Sequence, residues 1–262
     1  MSLKEDLDLF ENPYRFADPT LEHSIVRSEE HLEATKQSAL ESAVLLQNNG
    51  VLPLSESEKV AIMGPFAKSK GTNGPWSWHG DTSFNSSLYD VLKEQRPDLY
   101  YADSIDELKQ TSIKNIVYVT GENEHDSGEA KSKVSLRLPK ADIENIRYLI
   151  EHKYQVVVVL YNGRPLVLSE IVNADAIVEG WFLGSKGSEA LVELLLGKSN
   201  FSGKLTMSFP RHEGQIPLYY NHLSTGRPHN GDVSNAYTSF YLDCPNEPLF
   251  PFGHGLSYSS FH

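Results

Sequence analysis

Short runs of apolar residues alternate with helix-like segments between residues 28 and 209, and this alternation constrains the fold more than any other feature of the sequence. Strands and helices that alternate at this spacing are joined by right-handed crossovers and form a mainly parallel sheet with helices on both faces. We therefore predict an α/β fold, a three-layer α/β/α sandwich with a mainly parallel sheet of about six strands. The predicted strands are residues 59–63, 100–102, 116–119, 155–160, 176–181 and 204–209, and the predicted helices are residues 28–49, 85–94, 105–110, 165–172 and 187–196, with one more that begins at Pro139.

Two segments lie outside this alternation. Residues 1–27 have no sustained period but carry Phe10, Tyr14 and Phe16, which would be an unusual set of side chains to leave in water. We interpret this segment as a connector that lies on another part of the protein, and residues 28–262 as one domain. After Pro210 the periodicity is lost, and the many aromatic residues there predict ordered loops that pack on the sheet.

The composition excludes several classes of partner. With a formal net charge of −12, the chain has no basic patch to neutralise phosphates, so neither nucleic acid nor an anionic membrane is an expected partner. No apolar run approaches the ~20 residues that cross a bilayer. The acidic N-terminal segment lacks the apolar core of a signal peptide, which predicts a cytoplasmic location. A single cysteine, Cys244, excludes an internal disulfide framework and a thiolate metal cluster.

An acidic loop follows the predicted central strand. In open α/β sheets, ligands bind beyond the carboxyl ends of the strands, and the sequence there is GENEHDSGEAKSK, residues 121–133. A carboxylic acid can serve as a general acid when burial or a neighbouring carboxylate raises its pKa, although a solvated acidic loop would have the same composition. Adjacent side chains cannot all converge on one ion without a sharply folded loop. We predict no metal and no cofactor.

A second loop, expected at the same edge of the sheet, carries Trp76 and Trp78 between Gly74 and Gly80. Sugar rings have apolar C–H faces that stack on aromatic planes, so a tryptophan pair on a glycine-rich loop suits sugar binding. A pair that only packs over its own loop is the alternative. Arg164 also follows a predicted strand, and a salt bridge to a nearby carboxylate is the role expected for it.

Several segments together resemble the C-terminal α/β sandwich domain of family 3 glycoside hydrolases, the family of β-glucosidases and β-xylosidases. The similar segments occur in order along nearly the whole chain. They are LFENPYRF (9–16), ESAVLLQNNGVLPL (41–54), VAIMGP (60–65), GPWSWHG (74–80), VTGENEHDSGEAKSK (119–133), LYNGRPLVL (160–168), SGKLTMSFPRHEGQIPLYYN (202–221), TGRP (225–228) and PLFPFGHGLSY (248–258).

The resemblance implies a retaining exo-β-glycosidase that acts on β-glucosides or oligosaccharides. In relatives of this type the general acid/base is a glutamate of the long loop after a central strand, which by position is Glu129, with Glu122 as its nearest rival. Trp76, Trp78 and Glu122 would then contact the substrate. The family's nucleophile is an aspartate of an N-terminal (β/α)8 barrel, and the chain contains neither its motif nor a barrel. We therefore expect residues 1–27 to lie on that barrel, and the isolated domain to be inactive.

Two other functions are compatible with parts of the sequence. One is a stand-alone, non-catalytic module that binds a glycan or a partner chain. The other is a flavodoxin-like binder of nucleotides or phosphate, which follows from the predicted fold alone. The chain has no GxGxxG motif after a strand and no GxxxxGK[ST] motif, so the sequence gives nucleotide binding no further support.

Overall fold

A computed structural model describes residues 2–15, 17–77 and 80–260. Within these residues one six-stranded sheet has the order β1-β6-β5-β4-β2-β3. All neighbouring strands are parallel except β1, which pairs antiparallel with β6. The strands are β1 Val44–Asn48, β2 Val60–Met63, β3 Tyr100–Tyr101, β4 Asn115–Gly121, β5 Gln155–Tyr161 and β6 Ala176–Glu179.

The centre of the sheet is formed by β4 and β5. All seven residues of β4 are buried, and its register with β5 runs from Asn115 opposite Gln155 to Gly121 opposite Tyr161. Both strands are continuous runs of β-branched and other apolar residues, as is typical of parallel strands that are covered on both faces. Their carboxyl ends therefore lie side by side at one edge of the sheet.

Helices cover both faces of this sheet. The described part of the chain contains the helices α1 Ser2–Asp6, α2 Pro19–Ile25, α3 Glu29–Ser42, α4 Leu88–Gln95, α5 Ile105–Lys109, α6 Lys140–Glu151 and α7 Gly187–Leu195, and the short 3-10 helices Pro75–Ser77, Thr82–Phe84 and Glu213–Gln215. On one face α3, α4 and α7 bury residues such as Leu92 and Leu191. On the other face α5 and α6 bury residues such as Leu108 and Ile146. The predicted three-layer sandwich with a mainly parallel sheet is confirmed.

The predicted helix over residues 28–49 is wrong in its last third. Helix α3 ends at Ser42, and the chain then continues as the edge strand β1. Val44 packs in the core on one face of the sheet and Leu45 packs in the core on the other face. This alternation is the two-residue period of a strand. The sequence does not show the period, because Val44, Leu45 and Leu46 are all apolar.

Two further predicted elements are wrong. Residues 204–209 do not join the sheet, because their backbone pairs with the C-terminal loops instead; the N–H of Phe209, for example, donates to the carbonyl of Phe250 at 2.8 Å. Residues 165–172 form no helix: residues 165–168 are irregular, with an isolated bridge between Val167 and Arg137, and residues 169–172 form turns. Both segments bury apolar side chains, so their composition is that of a core element although their backbone is irregular.

The described part of the N-terminal segment buries little of its own surface. Helix α2 has no buried residue, and Phe10 and Tyr14 are exposed. Phe16 lies outside the described residues. The role of residues 1–27 as a connector therefore stays a prediction. None of the helices in the described residues is both long enough and apolar enough to span a bilayer.

Candidate functional site

Three polar side chains follow the carboxyl ends of the central parallel strands. Glu122 follows β4, Asn162 follows β5, and Glu179 is the last residue of β6. The strands meet closely at this edge: Gly121 has a φ of +139°, and a β-carbon there would lie 1.9 Å from the carbonyl oxygen of Tyr161. Only glycine fits this position, so the acidic loop leaves the sheet along a fixed path.

Glu122 is a buried, ion-paired carboxylate. Its Oε2 accepts a hydrogen bond from Nε of Arg164 at 3.1 Å, and its Oε1 lies 3.4 Å from Nζ of Lys133. The side chain is 5% exposed. The salt bridge expected for Arg164 is confirmed. So little of this carboxylate is exposed that a substrate could contact it only over a small area. The predicted contact between Glu122 and the substrate stays a prediction.

The guanidinium of Arg164 also holds the acidic loop together. Its Nη2 donates to the backbone carbonyls of Asp126 and of Lys131, the latter at 3.1 Å. Arg164 thus connects the two ends of the segment 122–131. Glu129 lies between Asp126 and Lys131, the two residues whose carbonyls Arg164 binds. A planar guanidinium with several fixed donors suits this role, which a lysine ammonium cannot fill in the same way.

Glu129 itself points to solvent. Its side chain is exposed, and within the described residues its carboxylate has no hydrogen-bond or ion-pair partner. It lines a cavity of about 240 Å³ together with Trp76 and Lys131. The next residue, Ala130, has a φ of +58°, in the left-handed region that L-residues seldom occupy. Strained positions of this kind cluster at functional sites.

The tryptophan loop lies directly beside Glu129. A β-carbon on Gly128 would lie 3.1 Å from Cβ of Pro75 and 3.7 Å from Nε1 of Trp76, so the two loops touch. Trp76 is 70% exposed. Asn85 fixes the residues just before this loop, because its Nδ2 donates to the carbonyl oxygen of Lys70 at 2.8 Å. Trp78, the other predicted sugar-binding residue, lies outside the described residues.

A buried glutamate behind the loop was missed by the sequence analysis. Glu179 is fully buried and accepts hydrogen bonds from Nδ2 of Asn162 at 2.9 Å and from the N–H of Trp181 at 2.8 Å. Burial, with a smaller contribution from the charge of Glu122, raises the pKa of Glu179 to about 8. The signal that could have found it is an acid inside the apolar run AIVEGW, residues 176–181.

Comparison with known proteins decides the family. The family model of the glycosyl hydrolase family 3 C-terminal domain matches residues 43–258. The chain belongs to this family. The family 3 domain is 34% identical over 304 aligned residues to the periplasmic beta-glucosidase of Salmonella typhimurium, with 100% of the chain and 40% of that relative covered. A beta-xylosidase of Formosa agariphila is 32% identical, with 100% of the chain and 38% of that relative covered.

Solved structures give the same result. The crystal structure of a beta-glucosidase from Listeria innocua in complex with isofagomine has a TM-score of 0.93 and 37% identity, and covers 100% of the family 3 domain and 38% of that structure. The domain thus spans about two fifths of the proteins it matches. The name of the Salmonella relative assigns that protein to the periplasm, so the expected cytoplasmic location gains no support.

Proposed function

We propose that this domain supplies Glu129 as the general acid/base of a retaining exo-β-glycosidase of the β-glucosidase type. The observation that carries the proposal is the exposed carboxylate of Glu129, which has no hydrogen-bond or ion-pair partner among the described residues and shares a cavity with the exposed Trp76. The neighbouring acid Glu122 is occupied by two cations and is buried. Of the two candidate acids, Glu129 is therefore the one that a substrate can reach.

The second carboxylate of the reaction would lie outside this chain. A retaining glycosidase needs a nucleophile about 5 Å from the acid/base, and we propose that an aspartate of an N-terminal (β/α)8 barrel supplies it. The length of the relatives supports this proposal, because the chain covers only 38–40% of them. Alone, the domain would bind sugar weakly and would not hydrolyse it.

In the proposed mechanism Glu129 acts twice. Its carboxylic acid first gives a proton to the glycosidic oxygen while the nucleophile attacks the anomeric carbon. The resulting carboxylate then takes a proton from the water that releases the sugar from the nucleophile. Trp76 and Trp78 would stack on the leaving group, and Glu122 would act by holding the loop through Arg164.

The test compares two leaving groups in the assembled enzyme, by which we mean the polypeptide in which this chain follows the barrel. The rate compared is kcat/KM, which reports the step that forms the glycosyl-enzyme and not the later hydrolysis that is common to both substrates. Glu129→Gln should lower kcat/KM for alkyl β-glucosides by about 10²–10⁴-fold and that for dinitrophenyl β-glucoside much less, because an acidic leaving group needs little protonation. The matched control is Glu124→Gln, which changes an acid of the same loop that does not line the cavity and whose Oε1 lies 3.7 Å from Nε2 of His125. An equal loss of kcat/KM on both substrates would contradict the assignment.

A second function is favoured by one observation, the 70% exposure of Trp76 in a domain that we expect to be inactive alone. A non-catalytic glycan-binding module would present its stacking face in this way. The isolated chain would then bind cello-oligosaccharides, and Trp76→Ala would abolish binding whereas Glu129→Gln would not. Binding that survives Trp76→Ala, or an absence of binding, rules this function out.

A further inference from the structure

The buried pair Glu179 and Asn162 lies behind the acidic loop and takes no direct part in the proposed chemistry. Both side chains are 0% exposed. Glu179 is the last residue of β6 and Asn162 directly follows the neighbouring strand β5, at the edge of the sheet from which the loop leaves. Within the described residues no ion pair involves Glu179, since Arg164 and Lys133 both pair with Glu122.

This pair is connected to the loop by a continuous series of hydrogen bonds. Nδ2 of Asn162 donates both to Oε2 of Glu179, at 2.9 Å, and to the backbone carbonyl of Arg164, at 3.0 Å. The side chain of Arg164 in turn holds Glu122 and the carbonyl of Lys131. Two residues, Asn162 and Arg164, therefore separate Glu179 from the segment that carries Glu129.

The same turn also touches the loop directly. A β-carbon on Gly163 would lie 2.3 Å from Oγ of Ser127, so the backbone of the turn packs against the loop two residues before Glu129. Ser127 lines the cavity that contains Glu129. A displacement of the turn would therefore move the loop with it. A 1 Å misplacement of a reacting group can lower a rate by about 10²-fold.

A buried acid that no described cation pairs with is unfavourable for folding, because burial removes the hydration of its polar atoms. The same burial disfavours the charged form and raises the pKa of Glu179, so the group holds a proton at neutral pH. The residue also accepts the N–H of Trp181, whose φ of +43° lies in the left-handed region. An apolar side chain would fill the same place in the core at a lower cost in folding free energy. Packing alone therefore does not explain a glutamate at position 179.

We propose that Glu179 is a positioning residue that sets the loop 122–131, and with it Glu129, through Asn162 and Arg164. The inference rests on the proposed role of Glu129. Glu179 accepts two hydrogen bonds from two different turns, one after β5 and one after β6, and so fixes the spacing between them. Both oxygens of Glu179 can still accept a hydrogen bond when the group is protonated, whereas glutamine of the same size has an amide N–H₂ in place of one of them and cannot accept both bonds.

The experiment compares the rates of hydrolysis, taken as kcat/KM, of an alkyl β-glucoside and of dinitrophenyl β-glucoside by the assembled enzyme with Glu179→Gln. We expect kcat/KM for the alkyl glucoside to fall about 10- to 100-fold and that for the dinitrophenyl glucoside to change far less, because a displaced acid impairs protonation of the leaving group selectively. Asn162→Ala interrupts the same series of hydrogen bonds and serves as the second variant if Glu179→Gln does not fold.

The control is Asp175→Asn, which alters a carboxylate at the opposite end of the same strand pair, where it accepts the N–H of Val156 at 2.8 Å. It should leave the ratio of the two rates unchanged. If Glu129→Gln changes that ratio but Glu179→Gln and Asn162→Ala lower both rates equally, Glu179 is only structural and the inference is overturned. If Glu129→Gln itself leaves the ratio unchanged, the proposed function fails, and the inference fails with it.

Discussion

Replacing Arg164 by alanine should destabilise the domain far more than removing an ordinary surface arginine. Among the described residues, the substitution leaves the carboxylate of Glu122, whose side chain is 5% exposed, with Nζ of Lys133 at 3.4 Å as its one remaining partner. Breaking a buried pair by removing one partner costs about 3–5 kcal/mol. Because the side chain of Arg164 is 20% exposed and Lys133 remains, we expect about 3 kcal/mol, the lower end of that range.

The assay is urea unfolding of the 262-residue chain, with the free energy of unfolding taken by linear extrapolation. The matched control is Arg137→Ala. The pair between Arg137 and Glu170 is shorter, at 2.7 Å, but its side chains are 50% and 23% exposed, so its loss should cost less than about 1 kcal/mol. The burial of the two ion pairs, and not their lengths, should therefore decide how much stability each substitution removes.

A double variant tests the cause of this loss. Glu122→Gln removes the charge that Arg164→Ala leaves uncompensated, so the combined variant should be more stable than Arg164→Ala alone. If Arg164→Ala costs no more than Arg137→Ala, or if adding Glu122→Gln destabilises the domain further, the buried charge is not what makes Arg164 important. The explanation of how the loop is anchored would then be refuted.

Two further predictions concern the same edge of the sheet. Gly121→Ala should destabilise the isolated chain by several kcal/mol in urea unfolding, because the added β-carbon would overlap the carbonyl oxygen of Tyr161. The control Gly226→Ala, at a position with open space around it, should change the stability little. Equal losses of stability in the two variants would contradict the close approach of the strands at Gly121. For Glu179, the folded state keeps a proton up to about pH 8 while the unfolded state loses it near pH 4.5, so stability should fall as pH rises between these values, by up to about 1.4 kcal/mol per pH unit. Glu179→Gln should flatten this fall, and an unchanged pH dependence would count against a proton held at Glu179.

The fold could be predicted from the sequence where the side-chain period is clear. The strands β2, β4 and β5 are apolar runs of strand length between helical segments, and they were found within a few residues of their ends. Strand β1 was not found, because Val44, Leu45 and Leu46 directly follow a helix and continue its apolar content. Only their burial on opposite faces of the sheet distinguishes the strand from a longer helix.

The candidate site could be predicted only in part, and for a physical reason. The similarity of residues 119–133 to the family drew attention to Glu122 and Glu129, and the composition of the loop drew attention to its acids. Neither indicated that Glu122 is buried and ion-paired. The partner of Glu179, Asn162, is 17 residues away in the sequence and directly follows a different strand. Contacts of this kind depend on the order of the strands, which local patterns do not contain.

The most direct test of the central claim is the product formed by the assembled enzyme with Glu129→Ala in the presence of azide. If Glu129 is the acid/base, its removal leaves the nucleophile intact and opens a space on the face from which water attacks, so azide should restore turnover of dinitrophenyl β-glucoside and give the β-glucosyl azide. An α-glucosyl azide would mean that the nucleophile had been removed. An absence of any azide product, with activity unchanged by azide, would contradict the assignment of Glu129.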